Sequence, residues 1–397
     1  MLSDPSAAVI RATLPAVGAH LDEITERFYA GMFTAHPELL RDLFNRGNQA
    51  AGTQRQALAG SIAAFATHLL DHPGQRPDAM LGRIAHKHAS LGVAPEQYAI
   101  VHEHLFAAIA GVLGEAVTPE VAAAWDEVYW LMANALVAIE KRLYRESGES
   151  GENGRRRWEV VERVPETTDV TTFRLRPLDG DPVPPFRAGQ YVSVRVQLPD
   201  GARQIRQYSL SGAPTGTVRQ ISVKRVLGDG TPDGEVSHHL HTRVRVGDVL
   251  ELSAPYGDLV LDDAPDAPVL LASAGIGVTP MIAMLAQLAE DGHRAPVTVV
   301  HGDRSPGHHA LRAEHEARTG KLADAALHLW YEQDAPAGAH TGLVDLAGVD
   351  VPAGTRAYLC GPLPFMRTVR AQLIEKGVAP ADIHYEVFGP DLWLAQP

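Results

Sequence analysis

Along the first 147 residues, apolar positions recur every three to four places, as amphipathic helices require. Leu81, Ile84, His88 and Leu91 fall at i, i+3, i+7 and i+10, which places His88 on an apolar helix face, while His86, two positions away, points elsewhere. Gln54, Leu58, Ile62, Phe65 and Leu69 make a second inward stripe headed by an amide, and Tyr29 stands beside Phe28, Met32 and Phe33 on an earlier helix. His36-Pro37 and Ala94-Pro95 are punctuation that helices tolerate at their starts. Residues 1–147 are therefore expected to be all helix. Residues 148–154 continue Ser147 with Gly, Ser and charge and no apolar side chain, the composition of a flexible connector.

From 155 to 263 the period shortens to two, as in Val192-Ser193-Val194-Arg195-Val196, with turn signals at Asp179-Gly180, Asp200-Gly201 and Gly228-Asp229-Gly230. That pattern predicts an antiparallel sheet or barrel. From 264 to 397, strand-like runs at Val269–Ala272, Val297–His301, Leu327–Tyr331, Ala357–Cys360 and His384–Phe388 alternate with helical stretches at Pro280–Glu290 and Pro364–Lys376, predicting an α/β domain with a parallel sheet. No internal repeat or low-complexity tract interrupts the three parts.

Length agrees with this division, since 397 residues at about 150 per domain give two to three domains. A net charge of -13 argues against nucleic-acid and anionic-membrane binding, and no apolar run approaches the roughly 20 residues that span a bilayer. The single cysteine, Cys360, excludes intramolecular disulfides, and the first residues lack the basic-then-apolar layout of an export signal. A cytoplasmic, monomeric protein with small-molecule partners is expected.

Three places carry candidate chemistry. A lone histidine such as His88 is most often a core residue with a hydrogen-bonded ring, but the hydroxyl of Tyr29 and the amide of Gln54 also enter apolar stripes, where each is costly without a partner. A polar ligand such as dioxygen on iron would meet both; backbone partners or exposure would serve as well. In the middle third, Arg206-Gln207-Tyr208-Ser209 is either an ordinary strand with an exposed arginine or a flavin cradle: arginine can pair with pyrophosphate, a tyrosine ring can lie on the isoalloxazine, and serine can bond the reactive ring nitrogen. Gly234, Val236 and Ser237 then lead into a helical stretch whose free amides suit a pyrophosphate. The histidines that follow, His238, His239 and His241, lack metal-ligand spacing and are read as surface or supporting residues. Finally, Gly275, Ile276, Gly277, Val278, Thr279 and Pro280 follow an apolar strand and open a helix, with Thr279 as expected N-cap and Pro280 in the first turn, the context a dinucleotide loop needs. They lack the third glycine of the Rossmann fingerprint.

Phe28-Tyr29, Asn48-Gln49, Gln54-Arg55, Lys87-His88, Pro95-Glu96-Gln97-Tyr98 and Glu140 resemble, in order, the globin domain of bacterial flavohaemoglobins. The resemblance extends over the whole chain. It implies that His88 is the proximal ligand of a haem b iron, with Tyr98 and Glu140 supporting it, Lys87 beside the haem, and Tyr29, Gln54 and Leu58 in the distal pocket. A carboxylate on the far nitrogen of an iron-bound imidazole would fix its tautomer and raise its basicity. Taken without the resemblance, Glu140 reads as a solvated helix charge paired with Arg145.

The remaining motifs resemble the ferredoxin-reductase superfamily. Arg206, Gln207, Tyr208 and Ser209, with Tyr191 of Gly189-Gln190-Tyr191 nearby, match its flavin motif; the Gly275–Pro280 loop matches its nicotinamide loop. Cys360, Gly361 and Pro362 match the segment near the nicotinamide, which makes Cys360 a positioning residue; alone, it reads as a buried thiol at a strand end. Glu386, Val387, Phe388, Gly389 and Pro390 resemble the closing strand, whose aromatic ring yields when nicotinamide stacks. Asp303 and Arg304 follow the second strand of this domain, where Asp303 suits a free ribose hydroxyl and Arg304 a phosphate, a pattern that leans towards NADH with NADPH tolerated.

The resemblance thus implies a multidomain protein: an all-α globin over 1–147, a connector over 148–154, an antiparallel β-barrel for FAD over 155–263 and an α/β parallel-sheet domain for NAD(P) over 264–397. The implied activity converts nitric oxide and dioxygen to nitrate, with NAD(P)H electrons passing through FAD to haem. A haem-dependent alkyl-hydroperoxide or nitric oxide reductase, and an oxygen sensor whose globin gates the reductase, remain as alternatives.

Overall fold

The computed structural model describes residues 2–148, 154–228, 233–262, 264 and 266–389. Pro390 and residues 149–153 of the connector lie outside the described residues. Two compact units account for the contacts: one gathers the N-terminal helices together with Arg195–Arg206, the other Arg156–Val194 and Gln207–Phe388.

The helical unit contains α1 (Asp4–Ala19), α2 (Leu21–Ala35), α3 (Pro37–Asp42), α4 (Arg46–Ala50), α5 (Thr53–Asp71), α6 (Asp78–Leu91), α7 (Pro95–Leu113) and α8 (Pro119–Ser147). Prolines open α3, α7 and α8, where the missing N–H would have had no helical partner. Thr118 caps α8, its side chain accepting from Val121 N at 3.3 Å. Burial refines the expected stripes. On α6 the fully buried row is Leu81, Ala85 and Ala89, and Ile84, His88 and Leu91 are half-buried on the adjoining face. On α5 the buried residues are Ala57, Ala59, Phe65 and Ala66, with Gln54, Leu58, Ile62 and Leu69 half-buried. Apart from Leu81 and Phe65, the large side chains of both stripes lie beside the core rows, which are filled mostly by alanines, too small to dominate an apolar pattern.

The expectation that no segment approaches membrane-spanning length needs one correction. Pro95–Ala116, which is α7 and the short turn after it, is long and apolar enough by length and composition. Polar residues break it into shorter apolar runs, and in the fold it packs on α2 and places Tyr98, Leu105, Ala108 and Ile109 in the core.

The first sheet comprises β1 (Arg156–Pro165), β2 (Val170–Pro177), β3 (Tyr191–Gln197), β4 (Arg203–Ser209), β5 (Arg219–Lys224) and, after helix α9 (Glu235–Arg243), β6 (Val249–Leu252). Its order is β4-β3-β6-β1-β2-β5, with β1–β2, β1–β6 and β2–β5 antiparallel. An antiparallel bridge from Leu210 to Ile221 joins the segment after β4 to β5, the opposite edge of that order, and so closes the sheet as a barrel.

The second sheet is parallel: β7 (Val269–Ala274), α10 (Val278–Glu290), β8 (Val297–Asp303), α11 (Arg312–Thr319), β9 (Ala325–Tyr331), β10 (His340–Thr341), β11 (Arg356–Cys360), α12 (Leu363–Glu375) and β12 (Ile383–Glu386). The strand expected over His384–Phe388 ends at Glu386, and α11, too polar to show a clear apolar stripe, was not expected. The order β10-β9-β8-β7-β11-β12 reverses direction between β7 and β11. Connections leave β7 and β11 on opposite sides there, so a crevice opens at their carboxyl ends, the place where open α/β sheets bind ligands. Both glycine motifs, Gly275–Gly277 and Cys360–Pro362, sit at that point.

Their closeness explains one glycine. A Cβ on Gly277 would lie 2.2 Å from the Cys360 carbonyl oxygen and 2.9 Å from Gly361 N. Since neither neighbour is the end of a flexible side chain, Gly277→Ala should separate the two loops and destabilise the domain by about 2 kcal/mol or more. Gly348→Ala, where nothing lies within 4 Å of the added carbon, should leave the thermal midpoint unchanged. Equal midpoints for the two variants in a circular-dichroism melt would refute that packing account.

Candidate functional site

The helical site grows from the junction of α6, α7 and α8. His88 Nδ1 lies 2.9 Å from Glu140 Oε1 and 2.8 Å from Tyr98 Oη, and the Tyr98 hydroxyl donates to the same carboxylate oxygen at 2.5 Å. Glu140 is 2 % exposed, in the last third of α8. A carboxylate only accepts, and the one phenolic proton is committed to it, so Nδ1 must carry the imidazole hydrogen. His88 Nε2 then holds the free lone pair and has no hydrogen-bond partner among the described residues. That is the donor a haem iron takes from a globin-type histidine, held by the carboxylate–imidazole pairing that orients metal ligands. Burial and the Glu140 charge together push the Tyr98 phenol far above its ordinary pKa, so it stays a donor. Glu140 is thus a buried hub; the alternative pairing with Arg145 does not form, and Arg145 Nε instead donates to Lys141 O. Lys87 neighbours His88 on α6.

Tyr29 on α2 is 5 % exposed, with its ring 5.6 Å from that of Phe33 and 6.0 Å from that of Phe44. The neighbouring side-chain amides of Gln54 and Gln49 favour its ionised form, but burial outweighs them and raises the phenol's pKa. Gln49 Nε2 is buried without an acceptor. A buried phenol among aromatic rings, with two amides beside it and one amide nitrogen unmatched, suits a small polar ligand. Gln49 and Phe44 were not singled out as site residues, although Asn48-Gln49 belonged to the motif. Both precede or lie within the short α4, where no periodicity shows which side chains turn inward.

In the barrel, Tyr191 and Ser209 are buried and Tyr208 is half-buried. Gln207 Nε2 donates to Ser193 Oγ at 2.8 Å, tying β4 to β3. Arg206 reaches Gln204 Oε1 and Ile205 O on its own strand. Gly234 is the N-cap of α9; Val236 and Ser237 are buried in its first turn, and the Ser237 hydroxyl receives Val226 N at 3.1 Å. His241 is held by Val223 O at 2.8 Å, as a supporting residue, and His238 is exposed.

At the carboxyl end of β7, Gly275 adopts φ +53° with nothing within 4 Å of a hypothetical Cβ, so its backbone is open to close approach by a ligand. Gly275–Gly277 form a 3-10 turn that runs directly into α10 at Val278, making Gly277 the N-cap. Thr279 is therefore not the cap: the helix starts earlier, and its hydroxyl donates back to Ile276 O at 2.9 Å. Ile276 is half-buried in the turn, and Val278, Thr279 and Pro280 are buried in the first turn of α10.

Cys360 is fully buried, and desolvation, with the charge of Glu386 across the strand pair, raises its thiol pKa well above the ordinary value. It is no nucleophile. Gly361 and Pro362 lead from β11 into α12. Glu386 and Val387 are half-buried, and Phe388 and Gly389 are exposed after β12. The Asp303 side chain is only 6 % exposed, beside His301, and Arg304 pairs with Asp169 at 3.2 Å.

With this geometry in place, comparison with known proteins is direct. Globin matches residues 26–136, the oxidoreductase FAD-binding domain residues 157–261, and the oxidoreductase NAD-binding domain residues 271–371. A flavohemoprotein of Rhizobium meliloti is 44% identical over 99% of this chain and 100% of its own. The chain belongs to the flavohemoprotein family. A flavohemoprotein of Bacillus subtilis is 38% identical over the full length of both. The crystal structure of the Malassezia yamatoensis flavohemoglobin, with bound FAD and heme, aligns with TM-score 0.90, 40% identity and coverage of 98% of this chain and 100% of that one. The flavin and nicotinamide part of a Vibrio cholerae nitric oxide dioxygenase aligns with 59% of this chain and 99% of its own, at TM-score 0.56 and 39% identity. A globin joined to FAD- and NAD-binding domains makes this chain an oxidoreductase.

The hub makes a stability test. Glu140→Ala leaves the Tyr98 and His88 donors without their acceptor, at about 1–3 kcal/mol each, so urea denaturation of the helical unit should show a loss of roughly 2–6 kcal/mol. Glu140→Gln retains an amide oxygen and should lose less than half as much. Equal losses would mean that the side chain only fills space.

Proposed function

We propose that the chain is a nitric oxide dioxygenase: nitric oxide and dioxygen combine with one electron to give nitrate, and NAD(P)H supplies the electrons through FAD and haem. The observation that carries this reading is the His88 Nδ1–H held by Glu140 and Tyr98, since a strongly basic Nε2 suits activating dioxygen rather than storing it. The Vibrio cholerae relative adds support, being a nitric oxide dioxygenase by name. When bound, haem supplies an iron that takes diatomic ligands and changes by one electron, and FAD turns the electron pair of a nicotinamide hydride into single electrons.

The chain's own groups do the rest. His88 would give Nε2 to the iron, with Glu140 keeping the proton on Nδ1. Tyr29 would turn its hydroxyl towards a diatomic ligand, with the Gln54 and Gln49 amides beside it, and Leu58 with the Phe33 and Phe44 rings would exclude water. Lys87 adds positive charge next to the proximal histidine. In the reductase part, Arg206, Gln207, Tyr208, Ser209 and Tyr191 hold the flavin, and Gly234, Val236 and Ser237 offer the α9 amides to its pyrophosphate. The turn from Gly275 to Pro280 and the Cys360–Pro362 segment hold the nicotinamide nucleotide, with Glu386, Val387, Phe388 and Gly389 closing the site.

Because hydride carries two electrons and each nitrate consumes one, the full-length protein loaded with haem and FAD should form two nitrates per NADH, with equal consumption of nitric oxide and dioxygen. Nitrous oxide as product, or turnover indifferent to dioxygen, would make it a nitric oxide reductase instead. His88→Ala should lose normal haem absorption and keep flavin reduction by NADH, because the two functions belong to different domains. His86→Ala should change neither; matching haem loss in both variants would remove the basis for His88 as ligand.

A further inference from the structure

Three histidines in the nicotinamide domain play no part in that function. His301 ends the buried stretch of β8, His309 lies in the loop that follows, and His315 is on α11; their exposures are 0 %, 3 % and 0 %. One nitrogen from each lies within 4.8 Å of the other two. His309 Nε2 is 3.2 Å from His315 Nδ1, and the His301 and His309 rings stack at 4.0 Å. Behind them, Ser273 Oγ is 2.9 Å from His301 Nδ1 and Tyr331 Oη is 2.8 Å from His309 Nδ1.

Simple packing accounts poorly for this group. His301 Nε2 is buried with no hydrogen-bond partner, a cost that an apolar side chain of similar size would avoid. We propose that His301, His309 and His315 form a buried site for one divalent transition-metal cation of the zinc class. Zinc–nitrogen bonds of about 2.05 Å in a tetrahedron set neighbouring ligand nitrogens about 3.3 Å apart, close to the observed 3.2 Å between His309 and His315. The hydroxyls of Ser273 and Tyr331 hold two of the rings from behind, as outer partners of metal-bound imidazoles do. Asp303 Oδ2, 3.7 Å from His301 Nε2, brings the negative charge that a buried cation needs and is the candidate fourth ligand. The cation would pin α11 and the loop before it to β8, a structural role separate from electron transfer.

The test uses the full-length protein, freed of loosely held metal by a chelator and dialysed against zinc sulfate, with zinc counted by plasma mass spectrometry apart from haem iron. Wild type and His308→Ala should each retain a single tightly held zinc and gain thermal stability from it; His308, the neighbour outside the cluster, bonds Ser305 instead. His309→Ala and His315→Ala should lose that zinc while their flavin content is unchanged. Should those variants fail to fold, zinc K-edge absorption of the wild type decides, with imidazole scattering at about 2.0–2.1 Å expected. Wild-type zinc uptake no greater than that of the cluster variants, or a K-edge signal without imidazole, overturns the proposal.

Discussion

A carboxylate at 2 % exposure in the last third of a 29-residue helix is the constraint around which the helical unit is organised. Removed from water, Glu140 is tolerable only if donors from neighbouring helices reach it, and those come from α6 as His88 and from α7 as Tyr98. Tyr129 of α8 in turn donates to the Tyr98 carbonyl at 2.6 Å, so the backbone that carries the phenol is held as well. Three helices therefore have one mutual geometry in which the carboxylate and both of its donors are met. The chemistry of His88 is a by-product of that requirement: satisfying the carboxylate places the imidazole proton on Nδ1 and leaves Nε2 basic.

The nicotinamide domain is organised by a steric limit instead. Reversal of strand order between β7 and β11 opens a crevice, and two backbone segments can meet at its floor only if one residue lacks a side chain. The limits act on different atoms, one on donors and acceptors, the other on volume, and each lies where its domain is expected to hold a cofactor.

Much of this was legible in the sequence, because periodicity reports burial and glycine reports backbone proximity. The helical third, the barrel, the parallel sheet and the position of both glycine motifs follow from such local signals. Glu140 was not legible by itself: an acid on a long amphipathic helix reads as a solvated charge, and only the resemblance assigned it a partner 52 residues away. Thr279 was misplaced by two residues because a threonine before a proline looks like a cap, whereas a 3-10 turn had already started the helix. Gln49 and Phe44 escaped because α4 spans five residues, too few for a period to emerge. The His301, His309 and His315 group was invisible for a different reason: its members belong to a strand, a loop and a helix, and no single repeat connects them.

Cys360 has a consequence of its own. It is the one cysteine in the chain, wholly enclosed at the end of β11, with its thiol held in the protonated form. Nitrosating agents, peroxides and glutathione disulfide all attack the exposed thiolate, which this fold does not present. The covalent structure is therefore indifferent to the thiol–disulfide poise of its surroundings, and two copies cannot be cross-linked through sulfur unless the parallel sheet first opens.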